Sequence, residues 1–133
     1  MADPEPELLA AATAVKDQAY APYSGFPVGA ALRTTSGAMF VGCNVENAAF
    51  PQGTCAEAGA IAAMNAAGER AIAVIVTVCD GEMLGTPCGG CRQKIREFAV
   101  PGTLIHVAGP EGVRRTYTMD ELLPDSFGPE NIP

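Results

Sequence analysis

The sequence predicts an α/β protein in which helices pack on both faces of a mixed five-stranded sheet. Three observations carry this. A helix-period stretch at the start is followed by two strand-length segments joined at Ser36–Gly37. An unbroken apolar, β-branched run, "AIAVIVTVC", occupies 71–79, and beyond it helical and strand-like segments alternate. The 133 residues contain no internal repeat and no long Pro, Gly or Ser linker, so a single domain over 1–133 is expected.

Taken in order, residues 5–21 read as a helix because Leu8, Ala12, Val15 and Ala19 recur at helical spacing. "APYSGFP" (21–27) ends it with two prolines and a glycine. "VGAALRT" and "AMFVGCN" flank the turn and predict a β-hairpin, with the loop "VENAAFPQG" after it. From Thr54 to Gly68 the alanine-rich segment predicts a helix, with Thr54 as N-cap and Glu57 at capping-box spacing. Residues 71–79 suit a strand buried on both faces. "CGGCRQKIREFA" (88–99) predicts a helix behind Pro87, "TLIHVA" (103–108) a strand, "VRRTYT" an edge strand and "MDELL" a short helix.

Composition narrows the function. The chain is 48% hydrophobic with a net charge of −7, and its eight Lys and Arg are scattered, so a nucleic acid polymer is not the expected partner. No apolar run is long enough to span a bilayer, and the acidic start "MADPEPELLA" lacks the features of a secretory signal. A cytoplasmic protein is therefore expected. In a reducing compartment the odd set Cys43, Cys55, Cys79, Cys88 and Cys91 points to a metal or a reactive thiol, not to disulfides.

Cys88 and Cys91 stand in "PCGGC" at a predicted helix start, where i,i+3 spacing puts both sulfurs on one face. Alone the pair could equally be a redox couple or half of a structural zinc site. Cys55 also opens a helix, and a buried strand lies between the two helices. If the helices run side by side with their N-termini level, three thiolates converge on Zn²⁺ and leave a fourth position for water, the pattern of a catalytic site. Glu57 could then curl over the helix end, take a proton from that water and return it to a leaving group. The plainer reading of Glu57 is a helix cap. His106, in a predicted strand, reads as a structural residue.

The blocks "AYAPYSGFPVGAAL", "GCNVENAAFP", "TCAEA", "PCGGCRQ" and "ELLPDSF", in order from residue 8 to 127, resemble the small cytidine deaminases of pyrimidine salvage. The resemblance implies a three-layer α/β/α fold, one Zn²⁺, and hydrolytic deamination of cytidine and deoxycytidine to the uridines and ammonia. It assigns Cys55, Cys88 and Cys91 as zinc ligands and Glu57 as proton shuttle. It also implies that Asn44 and Glu46 bind the ribose hydroxyls, that Phe26 lies beside the base, and that the Ala56 N–H holds the pyrimidine O2. Phe127 would reach the pocket from a neighbouring subunit of a homotetramer.

One position departs from the family pattern: Ala58 stands where an arginine usually follows the glutamate. Three thiolates on Zn²⁺ carry excess negative charge, which makes the bound water harder to ionise. Arg92, directly after Cys91, and the two helix N-termini are what remains to offset it. Other readings are a deaminase of a related amino-pyrimidine such as blasticidin S, an editing deaminase of RNA or DNA, and a structural zinc module that binds a protein.

Overall fold

The computed structural model describes residues 5–133; residues 1–4, part of the acidic start and of the domain expected over 1–133, lie outside the described residues. The elements follow the order α1 (Pro6–Lys16), β1 (Val28–Thr34), β2 (Met39–Cys43), α2 (Ala56–Ala66), β3 (Ile72–Cys79), α3 (Gly89–Phe98), β4 (Ala99–Gly109), β5 (Gly112–Thr118) and α4 (Met119–Leu122). The five strands form one mixed sheet in the order β2-β1-β3-β4-β5. β3 and β4 are parallel, and the other pairs are antiparallel.

Strand alternation sends successive side chains to opposite faces, so the sheet has two cores. Leu8 and Ala12 of α1 pack with Ala31, Val76, Val78 and Ala108 on one face. On the other, α2, α3 and α4 bring Ala60, Met64, Ile95 and Leu122 against Ala30, Leu32, Ile75 and Ile105. The α/β/α layering expected from the sequence is present. Two glycines set how closely the layers approach. A Cβ on Gly29 would sit 2.1 Å from Ala12 O, and one on Gly42 would sit 2.4 Å from Ala60 N and 2.5 Å from Ala56 O. Only a residue with no side chain lets α1 and α2 lie that near the hairpin.

Several boundaries differ from the expectation. α1 stops at Lys16, five residues short of 21, and the chain beyond it is used in long-range pairing: the Tyr20 N–H donates to Asn44 O at 2.9 Å, and the Glu46 N–H to Tyr20 O at 2.8 Å. Thr54 is not the N-cap of α2. Its N–H and C=O are both bonded to Val45 at 2.9 Å, so the helix begins one residue later, with Cys55 in the cap position and no capping box. β4 starts at Ala99, not 103, because a register irregularity between Ile72 and Val74 accommodates the "VPG" segment, with Gly102 at φ +89°. Thr103 Oγ1 closes that irregularity by donating to Ile72 O at 2.6 Å. α4 does carry a capping box, between Thr118 and Glu121.

Candidate active site

The chain order α2–β3–α3–β4 determines where the thiols meet. Each helix returns along the sheet and feeds a strand, and β3 and β4 are parallel, so α2 and α3 share a direction and their N-termini lie level. Cys55 caps the first helix and Cys88 the second, both with extended backbone, and Cys91 sits one turn into α3. Cys55 Sγ and Cys88 Sγ are 3.8 Å apart, and all three sulfurs lie within 4.8 Å of one another. Tetrahedral Zn–S bonds of about 2.3 Å place sulfurs about 3.8 Å apart, so the trio fits that ion.

The electrostatics of the trio favour a cation. Burial, and then the neighbouring Cys88 thiol, push the Cys55 thiol above its ordinary value. Burial, and then the negative charge of Glu57, raise Cys91 strongly. At Cys88 burial is outweighed by bonds from the Cys91 N–H, the Cys91 thiol and the Cys55 thiol, so its pKa is lowered. With two of the three thiols raised, full ionisation of the trio is disfavoured unless a positive centre lies beside it. A divalent cation supplies one, at the positive ends of two helices.

Glu57, in the first turn of α2, is only 4% exposed, and burial holds its carboxyl above the usual range. Thr77 Oγ1 donates to Glu57 Oε2 across 3.4 Å. The side chain faces a cavity of about 270 Å³ that is also lined by Cys55, Ala56 and Cys88. Phe26, Asn44 and Glu46 line the same cavity. That volume is at the small end for ligand sites, about 300 Å³ upward, which suits one small molecule. Ala56 is the first residue of α2, where a helix leaves backbone N–H groups without intrahelical partners.

Asn44 and Glu46 reach the cavity from the β2–α2 connection, and both also brace the 21–28 segment. The Asn44 amide accepts from the Val28 N–H at 2.8 Å and donates to Phe26 O at 3.0 Å. One amide hydrogen and one lone pair remain for a ligand. Glu46 accepts from the Ser24 hydroxyl, the Ser24 N–H and the Tyr23 N–H, which hold its carboxyl below the usual range. It is therefore an ionised acceptor at the cavity wall. Phe26 is 46% exposed. Phe127 is 58% exposed and does not line the cavity of its own chain, while its C=O accepts from Gln93 Nε2 at 2.8 Å.

The hydrogen bonds of Arg92, which was expected to help offset the thiolate charge, run elsewhere. Its guanidinium donates to Pro87 O (2.8 Å), Leu122 O (2.9 Å) and Thr86 Oγ1 (3.0 Å), and not to the sulfurs. The residue ties the "TPC" loop to α4 because its position on α3 turns it away from the metal face. His106 lies outside the cysteine group, buried in β4 with Nδ1 2.7 Å from Thr116 Oγ1. Sequence reasoning missed Thr77, Cys79 and Thr86 as cavity residues. The one available signal was Thr77, a hydroxyl in an otherwise apolar strand.

This fold and site define an α/β protein built to hold one thiolate-bound divalent metal beside a buried carboxylate at a small-molecule cavity. Comparison with known proteins agrees. Residues 3–107 match the family described as the cytidine and deoxycytidylate deaminase zinc-binding region. A cytidine deaminase from Sporosarcina psychrophila is 37% identical over 126 residues, covering 95% of this chain and 93% of the relative. The crystal structure of cytidine deaminase from Burkholderia pseudomallei superposes with a TM-score of 0.85 at 42% identity, covering 91% of this chain and 97% of that one. The cytidine deaminase structure from Mycobacterium tuberculosis gives 0.77 at 36% identity, covering 92% and 95%. The chain belongs to the cytidine and deoxycytidylate deaminase family.

Proposed function

We propose that this chain is a zinc-dependent cytidine deaminase, hydrolysing the 4-amino group of cytidine and deoxycytidine to give uridine, deoxyuridine and ammonia. One observation carries the reading: three sulfurs within 4.8 Å of one another share a cavity with a buried glutamate and with the Asn44–Glu46 pair. When bound by Cys55, Cys88 and Cys91, zinc supplies Lewis-acid activation of water at neutral pH.

The chain's own groups account for the remaining steps. Glu57 accepts one proton of the attacking water and delivers it to N3 of the base, then takes the remaining proton of the hydroxyl added at C4 and passes it to the departing amine as the carbonyl forms. Its raised pKa suits this traffic, since a carboxyl poised nearer neutrality both takes and gives protons. The Ala56 N–H, at the positive end of α2, binds the pyrimidine O2. Phe26 packs beside the base. Asn44 supplies a donor and Glu46 an acceptor to the sugar hydroxyls that cytidine and deoxycytidine share. The ionised Glu46 also disfavours a 5′-phosphate, which makes a nucleoside the better substrate than a nucleotide.

The same reading includes a homotetramer in which Phe127 of one subunit closes a neighbour's cavity. The exposed Phe26, Phe50, Leu84 and Phe127 rings and chains support it. It includes a cytoplasmic location, supported by five free cysteines; among the described residues no helix is long and apolar enough to cross a membrane. A purely structural zinc module needs a fourth protein ligand, and the cluster offers three among the described residues.

The test is incubation of purified protein with cytidine, following loss of ultraviolet absorbance and release of ammonia, with and without a zinc chelator. Turnover that the chelator abolishes and zinc restores is expected. A zinc-replete protein that leaves cytidine intact contradicts the reading.

A further inference from the structure

β3 is an apolar strip, "IAVIVTVC", that carries one hydroxyl, Thr77. The residue sits at the centre of the sheet, opposite Ala30 on β1 and Val107 on β4, and is 2% exposed. Its parity with Ile75 turns the side chain toward the α2–α3 layer, not toward α1. Valine would fill the same space and suits a central strand at least as well. A buried hydroxyl without a partner costs about 1–3 kcal/mol, so its presence calls for an acceptor. The one side-chain acceptor in reach is Glu57 Oε2, at a long 3.4 Å, and Thr77 itself lines the substrate cavity.

Glu57 has few other restraints. Its own backbone N–H and the Cys91 thiol are the other groups that act on the carboxylate. A cysteine that ligates a metal is a thiolate with no proton to donate. Once Cys91 takes that role, the hydroxyl of Thr77 is the side-chain donor left to the carboxylate among the described residues. A glutamate on the first turn of a helix has three rotatable bonds, and a proton shuttle has to stay within hydrogen-bond reach of both its donor and its acceptor.

We propose that Thr77 is a positioning residue of the deamination site: its O–H fixes Glu57 Oε2 against β3 and so aims Oε1 at the reacting atoms. The inference rests on the deaminase reading. The hydroxyl acts through Glu57, its one side-chain hydrogen-bond partner among the described residues. Its loss therefore slows the chemical step and leaves metal and nucleoside binding in place.

The experiment compares zinc-loaded wild type with Thr77→Val and Thr77→Ser, measuring kcat and KM for cytidine, zinc per chain, and the dissociation constant of uridine by calorimetry. Thr77→Val is expected to lower kcat about tenfold, the scale of one hydrogen bond to a charged group. KM, the uridine constant and zinc content stay within about twofold, and Thr77→Ser recovers kcat to within about threefold of wild type. Unchanged kcat in Thr77→Val overturns the proposal, as does a serine variant no better than the valine one, or zinc and uridine binding lost in step with turnover. If Thr77→Val does not fold, Thr77→Ala against Thr77→Ser gives the same contrast. A wild type that binds uridine and zinc and turns over cytidine, but is indifferent to Thr77, refutes the positioning role alone. A wild type that neither binds uridine nor turns over removes the deaminase reading beneath it.

Discussion

Arg92→Ala separates two accounts of why an arginine follows the metal-binding "CGGC" segment. If its charge offset the thiolates directly, the variant would fold normally and lose activity. The structure instead gives the guanidinium three acceptors, Pro87 O, Leu122 O and Thr86 Oγ1, at 2.8–3.0 Å. Bonds from a charged donor contribute about 1.5–3 kcal/mol each, and the three are neither additive nor fully shielded from water at this half-buried site. A loss of about 2–4 kcal/mol is the result. For a chain of this size about 4 °C accompanies each kcal/mol, so the melting temperature should fall by about 8–16 °C. Freed at Thr86 and Pro87, the loop no longer fixes Cys88, and zinc should dissociate faster in a chelator-competition assay. Arg92→Lys, with one compact ammonium in place of a planar fork, should recover less than half of the loss. A melting temperature within about 2 °C of wild type, together with a large drop in kcat, would refute the clamp and restore the charge-offset account.

Other outcomes follow from the same geometry. Glu57→Gln keeps the shape and a hydrogen-bonding oxygen for Thr77 but cannot carry protons, so zinc should remain bound while kcat falls by about 10³–10⁴; a fall of less than tenfold, read by absorbance, would remove Glu57 from the mechanism. Gly42→Ala drives a Cβ into the α2 backbone 2.4–2.5 Å away, which should cost about 1–3 kcal/mol in denaturant melts and reduce zinc retention by displacing Cys55; wild-type stability would show that α2 is not seated on the hairpin. Burial holds His106 below its ordinary value of 6.5, so the unfolded chain protonates first. Stability that is present above about pH 6.5 should then decline as the pH falls through and below that value, and His106→Gln should flatten the decline between pH 7 and 5 in melts. An identical pH slope in the two proteins would remove His106 as its source.

The layered fold was legible because its signals are local. The hairpin carries a Ser36–Gly37 turn between strand-length runs, β3 is continuously apolar, and "PCGGC" names both its spacing and its helix start. Cys55 could be joined to that pair from chain order alone, since two helices feeding parallel neighbouring strands begin at the same edge of the sheet. What escaped depends on partners distant in sequence. Thr54 has the chemistry of a cap, but its backbone is taken by Val45. Arg92 has the charge to serve the sulfurs, yet Leu122 O and the Thr86 loop compete for the same donors, and nothing near it in sequence announces α4. The early onset of β4 needed the pairing of Ile72 with Ala99. The resemblance implied a sugar-binding role for Asn44, but nothing in the sequence marked it as the brace of Phe26 and Val28. Thr77 offered only the signal of a lone hydroxyl in an apolar strand, and it is the fold that brings that hydroxyl to Glu57.

The most direct measurement is X-ray absorption at the zinc edge of the purified protein, with metal content determined on the same sample. The account predicts one zinc per chain, three sulfurs at about 2.3 Å and a single light-atom neighbour at about 2.0 Å that is replaced when a nucleoside inhibitor binds. A shell of four protein ligands, or a protein that binds no zinc when Cys55, Cys88 and Cys91 are all reduced, would contradict it.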